Sequence, residues 1–308
     1  MTADNLNPEL RDAFRMVPVF PYYGPRTIPL GRMMYNKATP TKTGPGVTVE
    51  EVMLGDLSLR VFRPIEGASG AGILWIHGGG FIAGATEQVN DVVSGFARRL
   101  KAAVVTVQYR WAPEHPFPAA LDDVHAAWRW MLDAPDIDSA RIAILGQSAG
   151  GGLAAGLVQR LHDEGGQQPV AQVLHYPMLD DRTAADLGRD AERYRIWNNR
   201  CNRVAWNAYL HPLGAGADGV PPYAAPARRQ DLSGLPPTWI GGGTYDLFAD
   251  ETRDYATRLE RAGVSVDSLY LEGAPHVFEV MAPDWSGSVQ FLNSTARFLR
   301  RYLQNPSG

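Results

Sequence analysis

Cysteine is almost missing from this sequence. Cys201 stands alone among 308 residues, so no intramolecular disulfide can form and a reducing compartment is permitted. Long apolar runs are missing too. None approaches the roughly 20 residues of a membrane span, which excludes stable membrane association of that kind. Excess positive charge is also lacking. Lys and Arg number 29 against 33 Asp and Glu, and a net charge of −4 favours neither nucleic acid nor an anionic membrane surface. The opening MTADNLNPELRDAFRMV has no basic stretch followed by an apolar one, so no signal peptide is expected and the reading is a cytoplasmic protein. There are no repeats and no low-complexity tracts. Neither HExxH nor paired Cys/His spacing occurs, so no metal is expected.

What is present is an ordinary globular composition, 45% hydrophobic and 10% aromatic, in a chain long enough for one sizeable core. A single domain over 1–308 is the expectation. Apolar, β-branched runs recur at 47–53, 57–62, 72–76, 102–107, 142–145, 170–174, 238–240 and 264–271. The first two are separated by LGD, a plausible hairpin turn. From Ile73 onward they alternate with helical patterns at 91–100, 119–132, 149–163, 251–262 and 289–303. Such alternation, with short continuous apolar strands, predicts an α/β fold with a mostly parallel sheet covered on both faces and the hairpin at one edge. Two segments break the rhythm. Residues 1–45 hold one amphipathic helix and then a Pro-rich passage, and 180–235 are rich in Arg, Asn, Pro and aromatics. Long excursions of this kind are usually functional, and both are read as a cap over one end of the sheet.

ILGQSAGGG, residues 144–152, places one serine among small residues directly after a buried run. Gly146-Gln147-Ser148-Ala149-Gly150 is a G-x-S-x-G pattern at a strand-to-helix turn. A serine there must take a positive φ, and the residues two before and two after it approach so closely that a Cβ would collide. The turn lifts the hydroxyl above a helix N-terminus, where developing negative charge is favoured. The competing reading is an N-cap serine on a glycine-rich helix start.

A serine nucleophile needs a base and usually an acid, in the chain order Ser, Asp/Glu, His for this type of turn. After Ser148 the histidines are His162, His175, His211 and His276. His162 belongs to the helix that the serine opens, His175 ends a strand, and His211 lies in the expected cap. His276 follows the last strand, where active-site loops gather. For the acid, Asp246 sits in a loop just past a strand. Asp250 and Glu251 open the next helix, where carboxylates suit the dipole, and Asp254 lies within it. Asp246 and His276 are therefore the expected partners of Ser148. WIHGGGF puts three glycines after another strand, and acyl transfer needs preorganised amides for its oxyanion. Gly79, Gly80 and Ala149 are the expected donors, with His77 orienting their loop.

The assembled pieces HGGGF at 77–81, YRWAPEHPFPAALDD at 109–123, GQSAGG at 146–151, YPMLDDR at 176–182, GGTYDLFADE at 242–251 and GAPHVFE at 273–279 resemble the hormone-sensitive-lipase-like branch of the α/β-hydrolase superfamily, the bacterial carboxylesterases with an HGGG loop. They cover about 200 residues in the family's order. The resemblance implies the α/β-hydrolase fold with a sheet of about eight strands and a helical cap. It also implies cofactor-free hydrolysis of small-molecule esters with short-to-medium acyl chains, and homodimers are frequent in the family. The chain departs from the family at Gln147, where Asp or Thr is common, at Leu247, where many have Pro, and at Val277, where Gly is usual. Neutral variation is the plainer reading; the sharper ones are a Val277 that narrows the room beside His276 or restricts its loop, and a Gln147 that braces the turn by hydrogen bonds.

The adjacent carboxylates Asp122 and Asp123, with His115 nearby, fall in the PEHPFPAALDD stretch, where a rigid structural loop outweighs an acid–base site. Tyr22, Tyr23, Trp197, Trp206 and Tyr209 either line a substrate pocket or pack the cap on the body. An amidase, lactonase or deacetylase could use the same three residues, because leaving-group choice lies in the pocket. A non-catalytic small-molecule receptor on this fold would be marked by loss of one of them, and all three are present.

Overall fold

The computed structural model describes residues 5–15, 24–38, 42–191, 194 and 196–304. Its centre is an eight-stranded sheet in the order β1-β2-β4-β3-β5-β6-β7-β8. The strands are β1 (Val47–Leu54), β2 (Leu57–Pro64), β3 (Gly72–Ile76), β4 (Ala103–Gln108), β5 (Ile142–Gln147), β6 (Gln172–His175), β7 (Thr238–Tyr245) and β8 (Val266–Pro275). β1 and β2 form the edge hairpin, β2 runs antiparallel to β4, and every later pairing is parallel. The side chains of β1 alternate between half-buried and exposed over most of its length, whereas β3, β5 and β6 are buried throughout. That contrast follows from their sequences, since strands covered on both faces must be apolar at nearly every position.

Helices α3 (Asn90–Leu100) and α10 (Ser286–Leu303) cover one face and are tied by Arg99 to Asn293. Helices α4 (Ala119–Asp133), α5 (Ala149–Glu164) and α8 (Ala249–Arg261) cover the other. There Arg160 of α5 reaches Asp122 of α4, and Gln159 of α5 donates to the Tyr255 hydroxyl of α8. The chain steps from β3 outward to β4 on one side and from β5 to β6 on the other. The strand order therefore reverses between β3 and β5, where a crevice opens beyond the carboxyl ends of the strands.

The Pro-rich N-terminal passage differs from expectation. Instead of one helix there are two, α1 (Arg11–Arg15) and α2 (Ile28–Ala38), and α2 begins inside the Pro-rich stretch. Pro29 sits in its first turn, where the missing N–H costs nothing. Arg32 of α2 is clamped to the loops after β3 and β4, donating to the Ile82 and Ala112 carbonyls and to both oxygens of Glu114. The excursion after β6 holds α6 (Asp181–Ala185) and α7 (Asn199–Tyr209), and α7 packs on the loop after β3. Further extension of β7 through Gly241–Gly243 escapes a propensity reading. Two of the glycines are required because a Cβ on Gly241 would stand 2.2 Å from the Leu269 carbonyl oxygen of β8, and one on Gly243 1.8 Å from that of Ala274.

Candidate active site

β5 ends at Gln147 and α5 begins at Ala149, leaving one residue for the turn. Ser148 takes φ 55°, ψ −122°, a sparsely populated conformation that costs about 1–3 kcal/mol and persists only where its surroundings fix it. Those surroundings are visible. The Ser148 amide donates to the His175 carbonyl at 2.9 Å, and the Ser148 carbonyl accepts from Met178 at 2.9 Å and Gly152 at 3.1 Å. A Cβ on Gly146 would lie 2.1 Å from the Gly150 carbonyl oxygen, so glycine is a steric requirement there.

His276 leaves the end of β8 and Asp246 follows β7, so the three residues singled out in the sequence meet beyond the strand ends. Ser148 Oγ donates to His276 Nε2 at 2.9 Å, and His276 Nδ1 donates to Asp246 Oδ2 at 2.7 Å. A carboxylate only accepts, which places the ring proton on Nδ1 and leaves Nε2 free to take one from the serine. The other carboxylate oxygen of Asp246 accepts from the Phe248 amide at 3.0 Å, fixing the acid in turn. Ser148, His276 and Asp246 are 5%, 6% and 3% exposed, enough for one edge of the line to meet a ligand while water is largely kept out.

The HGGG loop runs against this turn, since a Cβ on Gly78 would lie 3.2 Å from both the Gln147 carbonyl oxygen and Ser148 Cβ. Gly79 and Gly80 have φ values of 127° and 64°, a left-handed path that turns their amides out of the usual strand direction. Among the described residues no carbonyl or side chain accepts from the amides of Gly79, Gly80 or Ala149. Three unengaged donors beside a serine hydroxyl suit an oxyanion. His77 is fully buried, stacks on Tyr109 at 4.4 Å and engages the Gly78 carbonyl through Nδ1 at 2.7 Å. Burial pushes its imidazole down to about 4, so it is neutral and shapes the loop.

The alpha/beta hydrolase fold profile matches residues 73–280 of the chain. Over 243 residues the chain is 36% identical to the carboxylesterase NlhH of Mycobacterium tuberculosis, covering 74% of this chain and 75% of the relative. Among solved structures, a bacterial heroin esterase superposes with a TM-score of 0.91 at 33% identity, covering 99% of this chain and all of that one. The esterase LipW of Mycobacterium marinum superposes at 0.86 with 31% identity, covering 97% and 96%. This chain belongs to the α/β-hydrolase family.

Within this hydrolase the remaining sequence candidates fall into structural places. Asp250 pairs with Arg189 and Asp254 with Arg258. Asp123 grips the Arg110 guanidinium and amide, Asp122 pairs with Arg160, and Glu114 with Arg32. His175 is buried against Thr295 and pushed down to about 3 by desolvation. Trp206 and Tyr209 are fully buried and pack with Phe81 at the end of the HGGG loop, at 5.2 and 4.0 Å between ring centroids, so they bind α7 to the body. The Trp197 ring lies over Gly80, where a Cβ would be 2.3 Å from it. Tyr22 and Tyr23 lie outside the described residues.

Glu251 exceeds its expected part as a helix-opening carboxylate. It is buried and accepts from the Leu179 amide at 2.7 Å, the Asp180 amide at 3.3 Å and the Thr183 hydroxyl at 2.5 Å, latching the segment that leaves β6. Desolvation pushes its carboxyl up to about 8 despite those donors. Its place at the start of a helix hides this in the sequence. Among the described residues no group of three His, Cys, Asp or Glu side chains is arranged to hold a metal ion, and no helix is long and apolar enough to cross a membrane.

Proposed function

We propose that this protein is a serine carboxylesterase that hydrolyses small esters with short-to-medium acyl chains by two-step acyl transfer. The observation that carries the reading is the hydrogen-bonded line from Ser148 Oγ through His276 to Asp246, set beside three unengaged amides. Ser148 Oγ attacks the ester carbonyl carbon while His276 Nε2 takes its proton. Asp246 holds the imidazole in the competent tautomer and stabilises its charged form. The tetrahedral oxyanion is received by the amides of Gly79, Gly80 and Ala149, at the positive end of α5. His276 then gives its proton to the leaving alkoxide as the C–O bond breaks, leaving an acyl-serine. A water molecule, deprotonated by His276, repeats the sequence and frees the carboxylic acid.

In this reading residues 1–308 form one hydrolase domain, and about 1–45 and about 180–235 form a cap over the site. Support comes from the Arg32 clamp and from the aromatic packing of α7 on the oxyanion loop. We place the enzyme in the cytoplasm, in keeping with its single cysteine, Cys201, which is buried. Association as a homodimer completes the reading.

The test is a p-nitrophenyl ester series from acetate to octanoate, read at steady state and in the first turnovers. The expected result is fastest turnover on the shorter chains, with acyl-enzyme trapped on the peptide containing Ser148 after acid quench. Hydrolysis with no label on that peptide would refute the acyl-enzyme.

A further inference from the structure

Beneath the catalytic line lies a buried polar cluster that the acyl-transfer steps do not use. Gln147, next to the nucleophile, accepts from the Trp75 indole N–H through Oε1 at 3.2 Å. Its Nε2 donates to Tyr176 Oη at 3.3 Å and to Glu279 Oε1 at 3.2 Å. The indole can only donate, which decides the orientation of the amide: oxygen toward Trp75, NH2 toward Tyr176 and Glu279. The Tyr176 hydroxyl also donates to Glu279 Oε1 in a short hydrogen bond. Gln147, Tyr176 and Glu279 are all buried, and the cluster draws on β3, the last residue of β5, the residue after β6 and the helix after β8, α9 (Phe278–Met281).

Two features connect the cluster to the reacting groups. The Tyr176 ring meets the His276 imidazole edge to face, with centroids 4.8 Å apart and planes at 67°, while Phe248 closes on the imidazole at 5.3 Å and 73°. Glu279 lies three residues beyond His276, across a sharp turn in which Val277 takes φ 53°. Ser148 and His276 hang from β5 and β8, which are separated in the sheet by β6 and β7. The hydrogen bond between Gln147 and Glu279 therefore joins the residue before Ser148 to the turn just past His276, and Ser148 and His276 must stay at 2.9 Å for proton transfer.

We propose that Gln147, Tyr176 and Glu279 are positioning residues for the Ser148–His276 proton transfer: the Gln147–Glu279 bond fixes the spacing of the two loops, and Tyr176, held by both, is the plate on which the imidazole rests. This rests on the esterase reading given above. Position 147 needs a side chain that accepts on one side and donates on the other, at the length of glutamine. Aspartate there would offer no donor and would turn a second carboxyl toward Glu279, and leucine would make neither bond. At 279 the need is an acceptor of the same shape, which glutamine also supplies. Burial raises the Glu279 carboxyl above its ordinary range, consistent with a role in geometry.

The experiment measures kcat, KM and the rate of fluorophosphonate labelling at Ser148 in Gln147→Leu, Gln147→Asp, Tyr176→Phe, Glu279→Leu and Glu279→Gln. Each rate is referred to folded protein by near-UV circular dichroism. A misplacement approaching 1 Å costs up to about 10²-fold in rate. Gln147→Leu, Gln147→Asp, Tyr176→Phe and Glu279→Leu should each lose roughly 10- to 100-fold in kcat and in labelling rate, with KM changed by less than about two-fold. Glu279→Gln should keep kcat within about three-fold of wild type, and Gln147→Leu with Glu279→Leu should lose no more than the worse single variant. Wild-type kcat in folded Gln147→Leu and Tyr176→Phe would overturn the proposal, as would losses that multiply in the double variant or equal losses in Glu279→Gln and Glu279→Leu. Failure of the wild type itself to label at Ser148 would strike the esterase reading instead.

Discussion

Gly146→Ala separates a steric requirement from ordinary helix-start chemistry at the turn that carries Ser148. The added Cβ would stand 2.1 Å from the Gly150 carbonyl oxygen, 2.5 Å from its carbon and 2.7 Å from the Gly151 nitrogen. Carbon and oxygen in contact sit about 3.3 Å apart, so the turn must open by about 1 Å. The atoms met are backbone, in a stretch already pinned by the His175 carbonyl and the Met178 amide, so no rotamer change can relieve the clash. Overpacking of this sort costs about 1–3 kcal/mol, and an immovable neighbour puts this case near the top of that range. The expected drop in Tm is roughly 3–5 °C. Turnover should fall about 10²-fold, because Ser148 moves relative to His276. Gly95→Ala is the internal control. Gly95 lies in α3 with nothing within 4 Å of an added Cβ, so alanine there should stabilise by about 0.4–1 kcal/mol and leave turnover unchanged. Thermal melts and p-nitrophenyl acetate kinetics on the two variants decide the matter. Equal behaviour of Gly146→Ala and wild type would refute the close-approach argument.

Glu251 makes stability depend on pH. Its carboxyl titrates near 8 in the folded chain and near 4.5 when exposed, so the unfolded chain releases its proton first and stability falls as pH rises between those values. Glu279 acts with the same sign, whereas the buried His77 and His175 cost stability only below their ordinary 6.5. From pH 6.5 to 8, Glu251→Gln should therefore gain about 2 kcal/mol on wild type in denaturant titrations; a constant difference would contradict the buried-carboxyl account. Val277 holds a left-handed φ that a β-branched residue adopts only under constraint. Val277→Gly should be about 1 kcal/mol more stable than Val277→Ala, and the reverse order would count against that strain. Asp246→Asn should retain the fold and lose roughly 10³–10⁴-fold in kcat; a loss below ten-fold would remove Asp246 as the group that orients His276.

The strands that carry the site were legible because they are buried on both faces and so read as short apolar runs, from Gly72–Ile76 to Ile142–Gln147. Turn chemistry was equally plain: the glycines around Ser148 and in the HGGG loop are dictated by collisions that any side chain would make. Less legible were features that depend on what lies across the fold. The run Gly241–Gly243 reads as a loop until Leu269 and Ala274 of the neighbouring strand are beside it. Helix α9 is four residues long, too short for any periodicity to register. Tyr176 and Glu279 are 103 residues apart and look unremarked in sequence, yet they meet under His276. Gln147 could be flagged as an uncharged residue beside Ser148, while its partners could come only from the packing of four separate strand ends.

The account stands on Ser148 as the nucleophile. Ser148→Ala, folded and melting near the wild-type temperature, should lose at least roughly 10³-fold in p-nitrophenyl acetate turnover and should no longer be labelled by a fluorophosphonate. Turnover by that variant at the wild-type rate would contradict it.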